Sequence, residues 1–287
     1  VSDLLELLPW DTEFFGLKIG RVLPPTLDRR SLAEIIHLAE EGKFDCLYFQ
    51  ANPEDEATVE LAEEGGFHLV DVRILLEHPF DGRPAPVPRY STPDDIRLAP
   101  ARHTDRPALE EIAVETGHTS RFYFDRRFPP DACPRLYRAW LNKAMDDERG
   151  LVLVASLEDR PGPPGMERAE PLGLIACGVE GAPSRLGPSG TGIGVIRLAG
   201  VKSGRRGRGV GTALVQGALD WFRAQGLRGA EVTTQARNVP AQRLYQQMGF
   251  FTRRMTLYYH RWTEKLSPSH GTQTGGTMEG QEERQQP

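Results

Sequence analysis

The sequence predicts a mixed α/β fold: a central, largely antiparallel sheet flanked by helices, preceded by a smaller α/β unit. Three observations predict it. Apolar runs of strand length, Leu151 to Leu157, Pro171 to Val179 and Ile193 to Val201, are joined only by Pro/Gly-rich connections, 159–170 and 181–192, as in antiparallel hairpins with enlarged loops. Amphipathic stretches with apolar residues at three-and-four spacing, Val210 to Phe222 and Ala241 to Met248, alternate with the later strands. A turn rich in glycine and arginine links the last of the three runs to the first of these helices.

In chain order, Cys46 to Gln50 reads as a strand running into Asn52, Ala57 and Leu61 mark a helix, and Gly66-Phe67 leads into a strand, Val70 to Glu77. The same layout recurs from Val232 to Tyr259, including the Gly-Phe exit, so residues 1–80 read as a degenerate half-domain with a structural or substrate-shaping role. Residues 81–94 carry Pro84, Pro86, Pro88 and Pro93 and read as a linker. Residues 95–263 form the main unit. It begins with a strand (Ile96 to Ala99) and two helices (Asp105 to Thr116, Asp131 to Asp147), followed by the three hairpin strands. Then come the helix from Val210, the strand Val232 to Gln235, a helix that Asn238 caps and Gly249 stops, and a closing strand, Phe250 to Tyr259. Residues 264–287 are polar, rich in Gly, Gln and Glu and without periodicity, the composition of a disordered tail.

Composition narrows the function. The 287 residues carry a net charge of −5 and 39% hydrophobic residues, and their clustered arginines are confined to one turn, which argues against a nucleic-acid partner. No segment approaches the ~18 uninterrupted apolar residues of a membrane span, and the first residues have no signal-like pattern, so no membrane and a cytoplasmic location are expected. Cys46, Cys133 and Cys177 lack metal-ligand spacing, as do the scattered histidines; no metal is expected.

The turn Arg206-Gly207-Arg208-Gly209-Val210-Gly211-Thr212 carries the chemistry. Small residues before a helix leave backbone N–H groups uncovered for a pyrophosphate, and Lys202, Arg205, Arg206 and Arg208 add positive charge. A nucleoside-triphosphate loop would need Gly-Lys-Ser/Thr here, and none is present. A dinucleotide fingerprint would put its third glycine at Thr212 and its acidic residue at the end of the next strand, whereas Glu231 precedes that strand. Arg206, Gly209 and Gly211 instead fit Arg/Gln-x-x-Gly-x-Gly/Ala. Asn238, Ala241, Leu244, Tyr245, Gly249 and Phe250 follow as Asn-x-x-Ala-x-x-Leu-Tyr-x-x-x-Gly-Phe. Together the two blocks resemble the GNAT acetyltransferases, and so does the element order over about 170 residues. Pro9-Trp10-Asp11-Thr12-Glu13-Phe14-Phe15-Gly16, Ser120-Arg121-Phe122 and Tyr137-x-x-Trp140 resemble a narrower group of two-part GNAT enzymes, the dTDP-fucosamine acetyltransferases.

The resemblance implies acetyl-CoA as co-substrate, held by Val201, Arg206, Gly207, Arg208, Gly209, Val210, Gly211, Thr212 and Asn238. It implies direct attack by the amine in a ternary complex, with a backbone N–H near Val201 on the thioester oxygen and Tyr245 as the acid for the departing thiolate. It also implies contact between the acceptor, a nucleotide-linked amino sugar, and Ser120, Arg121, Phe122 and Tyr123. Family precedent admits a homodimer. The general base stays open between Glu180 and His118, and a covalent route through Cys177 has no activating neighbour in sequence. Two other readings remain: a GNAT enzyme for another small amine, and a non-catalytic acyl-CoA-sensing module.

Overall fold

The structure, a computed structural model, describes residues 3–80, 95–157, 169–181 and 192–263. The linker 81–94 and the tail 264–287 lie outside the described residues, as does most of each hairpin connection. The first segment forms β1 (Leu5–Leu7), α1 (Pro9–Phe15), β2 (Ile19–Val22), α2 (Arg29–Glu41), β3 (Cys46–Ala51), α3 (Glu56–Glu64) and β4 (His68–Pro79). The second forms β5 (Ile96–Pro100), α4 (Arg106–Thr116), α5 (Arg121–Phe124), α6 (Ala132–Met145), β6 (Leu151–Leu157) and β7 (Gly173–Glu180). It continues with β8 (Ile193–Val201), α7 (Val210–Ala224), β9 (Gly229–Gln235), α8 (Val239–Gln247) and β10 (Phe251–Trp262).

All ten strands described join one sheet in the order β1-β2-β3-β10-β4-β9-β8-β7-β6-β5, antiparallel except for the pairs β2–β3 and β8–β9. The two halves exchange their last strands. β4 of the first half pairs with β9 of the second, β10 of the second pairs with β3 of the first, and β4 and β10 pair with each other at the centre.

Alternation along the strands splits the core between the two faces. Val152, Val154, Leu174 and Ala176 point to one face, where they pack with α4, α5, α6 and Phe15 of α1. Leu153, Ala155, Ile175 and Cys177 point to the other, beneath the apolar stripe of α7 (Val210, Leu214, Ala218, Phe222). On that second face the first half builds its own cluster, with Leu47, Phe49 and Tyr259 beneath Ile35 of α2 and Ala62 of α3. Among the described residues no helix is long and apolar enough to cross a membrane.

Candidate functional site

The parallel pairing of β8 with β9 covers only Gly194–Ala230, Val195–Glu231 and Ile196–Val232, after which the two strands part. The register of β8 against β7 shifts between Ile196 and Leu198, leaving Arg197 as a bulge residue at the point of divergence. A bulge bends its strand, which accounts for the parting. Arg197 turns aside to Asp147 (2.7 Å). Beyond the bulge, the Lys202 amide donates to the Leu172 carbonyl (2.9 Å). Because antiparallel hydrogen-bonded pairs alternate, the amides of Ala199 and Val201 face away from β7 and into the opening beside β9. The Val201 carbonyl is engaged by Arg206 Nε at 3.1 Å.

The glycine turn lies at the end of this opening. Gly207 and Gly209 take φ of 72° and 78°, the left-handed region that glycine enters without a Cβ penalty. Gly209 caps α7 with no side chain closing the helix end. Among the described residues, none of the amides from Gly207 to Thr212 donates to a protein acceptor; the first to do so is Ala213, to the Gly209 carbonyl at 2.9 Å. Six amides at a helix N-terminus, with Arg205 and Arg208 nearby, fit a diphosphate. Lys202 is ion-paired to Glu170. A Cβ added at Gly211 would lie 3.0 Å from Leu244 and 3.9 Å from Val201, so turn, strand end and α8 converge.

Tyr245 on α8 is 4% exposed, packs against Phe250 (5.6 Å between ring centroids), and belongs to the core of that face. Burial, with the Cys177 thiol as neighbour, raises its phenol pKa, so the proton stays on. Asn238 caps α8, its side chain accepting from the Ala241 amide at 3.3 Å. Burial pushes the Cys177 thiol up to about 12, which removes the thiolate that a covalent route needs.

On the opposite face, Thr119 Oγ1 donates to Gln235 Oε1 (3.2 Å) and ties the α4–α5 connection to the end of β9. The acceptor residues expected from sequence separate here. Ser120 caps α5, its hydroxyl accepting from the Phe122 amide at 3.3 Å. Phe122 is buried against Phe15 and Phe128 and offers no free face. Tyr123 is half exposed and packs edge-on to His118 (4.9 Å), while Arg121 points inward. Of the two candidate bases, Glu180 pairs with Ile193 at the end of β7–β8 remote from Val201, and the exposed His118 adjoins Thr119, whose hydroxyl reaches Gln235 of β9. Of the aromatics of the N-terminal phrase, Phe15 is core, whereas Trp10 is 50% exposed and stacked on Phe14.

Sequence reasoning missed Asp71, Arg73 and Tyr258. Strands β4 and β10 bring them to the face that carries Arg121, with Arg73 paired in register to Gln235 and Asp71 to Tyr258. The available signal was a pair of charges two residues apart within the apolar run from Val70. Below them, His260 (fully buried) and Trp262 of β10 both donate to Asp125 at 2.7 and 2.8 Å, clasping the end of α5 to the sheet. Among the described residues no three His, Cys, Asp or Glu side chains are grouped to hold a metal.

Residues 119–250 match the Acetyltransferase (GNAT) family. The chain is similar to the dTDP-fucosamine acetyltransferase of Escherichia coli O6:H1, at 27% identity over 87% of this chain and 94% of that protein. It is also similar to the spore coat polysaccharide biosynthesis protein SpsD of Bacillus subtilis, at 25% identity over 61% of this chain, and there it spans about half of the relative (53%). Among solved structures, a GCN5-related N-acetyltransferase from Sphaerobacter thermophilus superposes with a TM-score of 0.59 at 19% identity, covering 90% of this chain and 76% of that one. A tandem GNAT protein from the clavulanic acid biosynthesis pathway gives 0.54 at 15% identity, covering 86% and 76%.

Proposed function

We propose that this chain, a member of the GNAT acetyltransferase family, transfers an acetyl group from acetyl-CoA to the 4-amino group of a dTDP-linked amino-dideoxy sugar. The observation that carries the donor half is the opening between β8 and β9, which ends at six uncommitted amides from Gly207 to Thr212. In this reading those amides hold the diphosphate of the co-substrate, and Asn238 borders it. The free strand edge at Ala199 and Val201 pairs with the pantetheine amides. The Val201 N–H faces the thioester oxygen as the amine adds, a donor worth ~3–4 kcal/mol of barrier in related acyl chemistry. Tyr245 protonates the departing thiolate; its raised pKa keeps it in the acid form until charge develops on sulfur.

The acceptor half rests on the likeness to dTDP-fucosamine acetyltransferase, which runs over nearly the full length of both proteins, and on the mixture of guanidinium and aromatic groups around Arg121. In this reading Ser120 and Phe122 hold α5 in place, while Arg121 and Tyr123 meet the substrate. His118, next to the Thr119 that bonds Gln235 of β9, is the remaining candidate to take the amine proton. The division into an N-terminal half (1–80) and a catalytic unit (95–263) is part of the same proposal. A thiol-release assay across amines tests it: selective turnover of dTDP-linked 4-amino sugars is expected. Turnover of another amine class would overturn the acceptor assignment, and turnover of none would favour an acyl-CoA sensor.

A further inference from the structure

At the open end of the β8–β9 gap, on the face that carries α5, two arginines are held against aromatic rings. Arg121 is 8% exposed, and its guanidinium carbon lies 4.1 Å from the Phe122 ring centroid, 4.9 Å from that of Tyr258 and 5.0 Å from that of Tyr48. Arg73 lies 4.1 Å from the same Tyr258 ring and donates to its hydroxyl at 3.2 Å. Among the described residues neither arginine reaches a carboxylate at ion-pair distance, and Arg121 Nε is buried with no hydrogen-bond partner. The carboxylate closest in register, Asp71, has both oxygens buried and without partners. Burial, followed by the mutual repulsion of the two guanidinium groups, brings Arg73 down to about 10. Cation–π contacts return less than burying unmatched donors costs, so the arrangement is incomplete without acceptor atoms from outside the chain.

We propose that Arg73 and Arg121 form a phosphate site that grips the anionic group of the acceptor one sugar ring away from its amine. A guanidinium fork matches phosphate oxygens two at a time, and two forks around one tyrosine suit a diphosphate. Arg73 is in register with Gln235 of β9, beyond the point where β8 and β9 part, so the widened opening and a further strand spacing of ~4.8 Å separate it from β8. More than two strand spacings, about 10 Å, leave room for a pyranose ring between an amine at Val201 and a phosphate at the arginines. Tyr258 acts as a positioning residue through its bond to Arg73, while burial raises the Asp71 carboxyl above its ordinary value and so disfavours a second negative charge beside the anion. The placement of the amine rests on the acetyltransferase reading above; the anion site does not.

The test is calorimetry on the full chain saturated with CoA, so that the glycine turn is already filled, titrated with dTDP and separately with inorganic pyrophosphate. Both anions should bind, and Arg73→Gln or Arg121→Gln should weaken them by about tenfold or more, as expected for a lost charge-assisted hydrogen-bond pair. Arg121→Lys should lose less, and CoA affinity should stay within about twofold in every variant, reporting an intact fold. No binding of either anion at millimolar concentration, or equal binding by wild type and the Gln variants, overturns the site. Arginine-dependent pyrophosphate binding by a chain that acetylates no nucleotide-linked sugar would uphold the anion site and remove the acceptor assignment.

Discussion

Replacing His260 by Gln should flatten the acid limb of the stability profile. The ring is fully buried, stacked on Tyr48 at 4.8 Å, with Nδ1 at 2.7 Å from Asp125 and Nε2 without a partner. Burial lowers its pKa from 6.5 to about 4, against the pull of the Asp125 hydrogen bond and with help from the Arg121 charge. A folded-state value below the unfolded one means that only the unfolded chain takes up the proton between pH 6.5 and 4. This contribution is therefore complete above pH 6.5 and lost as pH falls towards 4. At 1.36 kcal/mol per pH unit the loss is about 2 kcal/mol by pH 5 and about 3 kcal/mol by pH 4. Asp125 acts in a lower window. Burial opposes its ionisation, but hydrogen bonds from His260 and Trp262 hold its carboxyl below 3.8, so its share is lost only under more acidic conditions. Urea unfolding at half-unit steps from pH 7.5 to 4.5 measures the difference. His260→Gln keeps a donor for Asp125 and should show a slope shallower by about 1 kcal/mol per pH unit between 6 and 5. Parallel profiles for the two proteins would refute the assignment of a neutral, buried imidazole.

Tyr245→Phe should lower kcat by about a hundredfold or more while leaving the acetyl-CoA Kd within a factor of two, because it removes only the acid; unchanged kcat would show the phenol to be a core residue. Gly207→Val should abolish measurable acetyl-CoA binding in calorimetry. A Cβ there meets nothing within 4 Å in the protein, so the fold should lose only the ~1–2 kcal/mol of a side chain at positive φ. Cys177→Ala should retain turnover within about twofold, and intact-protein mass spectrometry after acetyl-CoA alone should show no added acetyl group, as the suppressed thiolate requires.

Local chemistry decided what could be read from the sequence. β6 and β8 have the bounds expected, Leu151–Leu157 and Ile193–Val201, because Pro/Gly-rich connections isolate uniform apolar runs. The glycine turn was legible for a similar reason: φ of 72° and 78° before a helix restricts the residue type, and the restriction shows in sequence. The first 45 residues were less legible. Two strands of three and four residues are too short to carry a period, and the thirteen-residue α2 mixes its apolar stripe with charges. Asp71, Arg73 and Tyr258 were hidden because pairing partners are not encoded in alternation. The run from Val70 says which residues share a face, but not that β9 and β10 lie on either side.

The exchange of strands also gives physical content to the expected role of the first half. Had each half kept its own last strand, Arg73 and Asp71 would stand beside β3, away from the opening. As paired, β4 lies between β9 and β10, and its register sets Arg73 against Gln235, whose side chain receives the Thr119 hydroxyl. The proposed acceptor side would thus draw on both halves: Asp71 and Arg73 from β4, Tyr258 and His260 from β10, and Arg121 from the segment that Asp125 clasps to β10. The glycine turn and Tyr245, by contrast, belong wholly to the second half. A first half without a glycine turn of its own is therefore necessary to this arrangement, since without β4 the edge of β9 would be unpaired and Arg121 would face no second guanidinium.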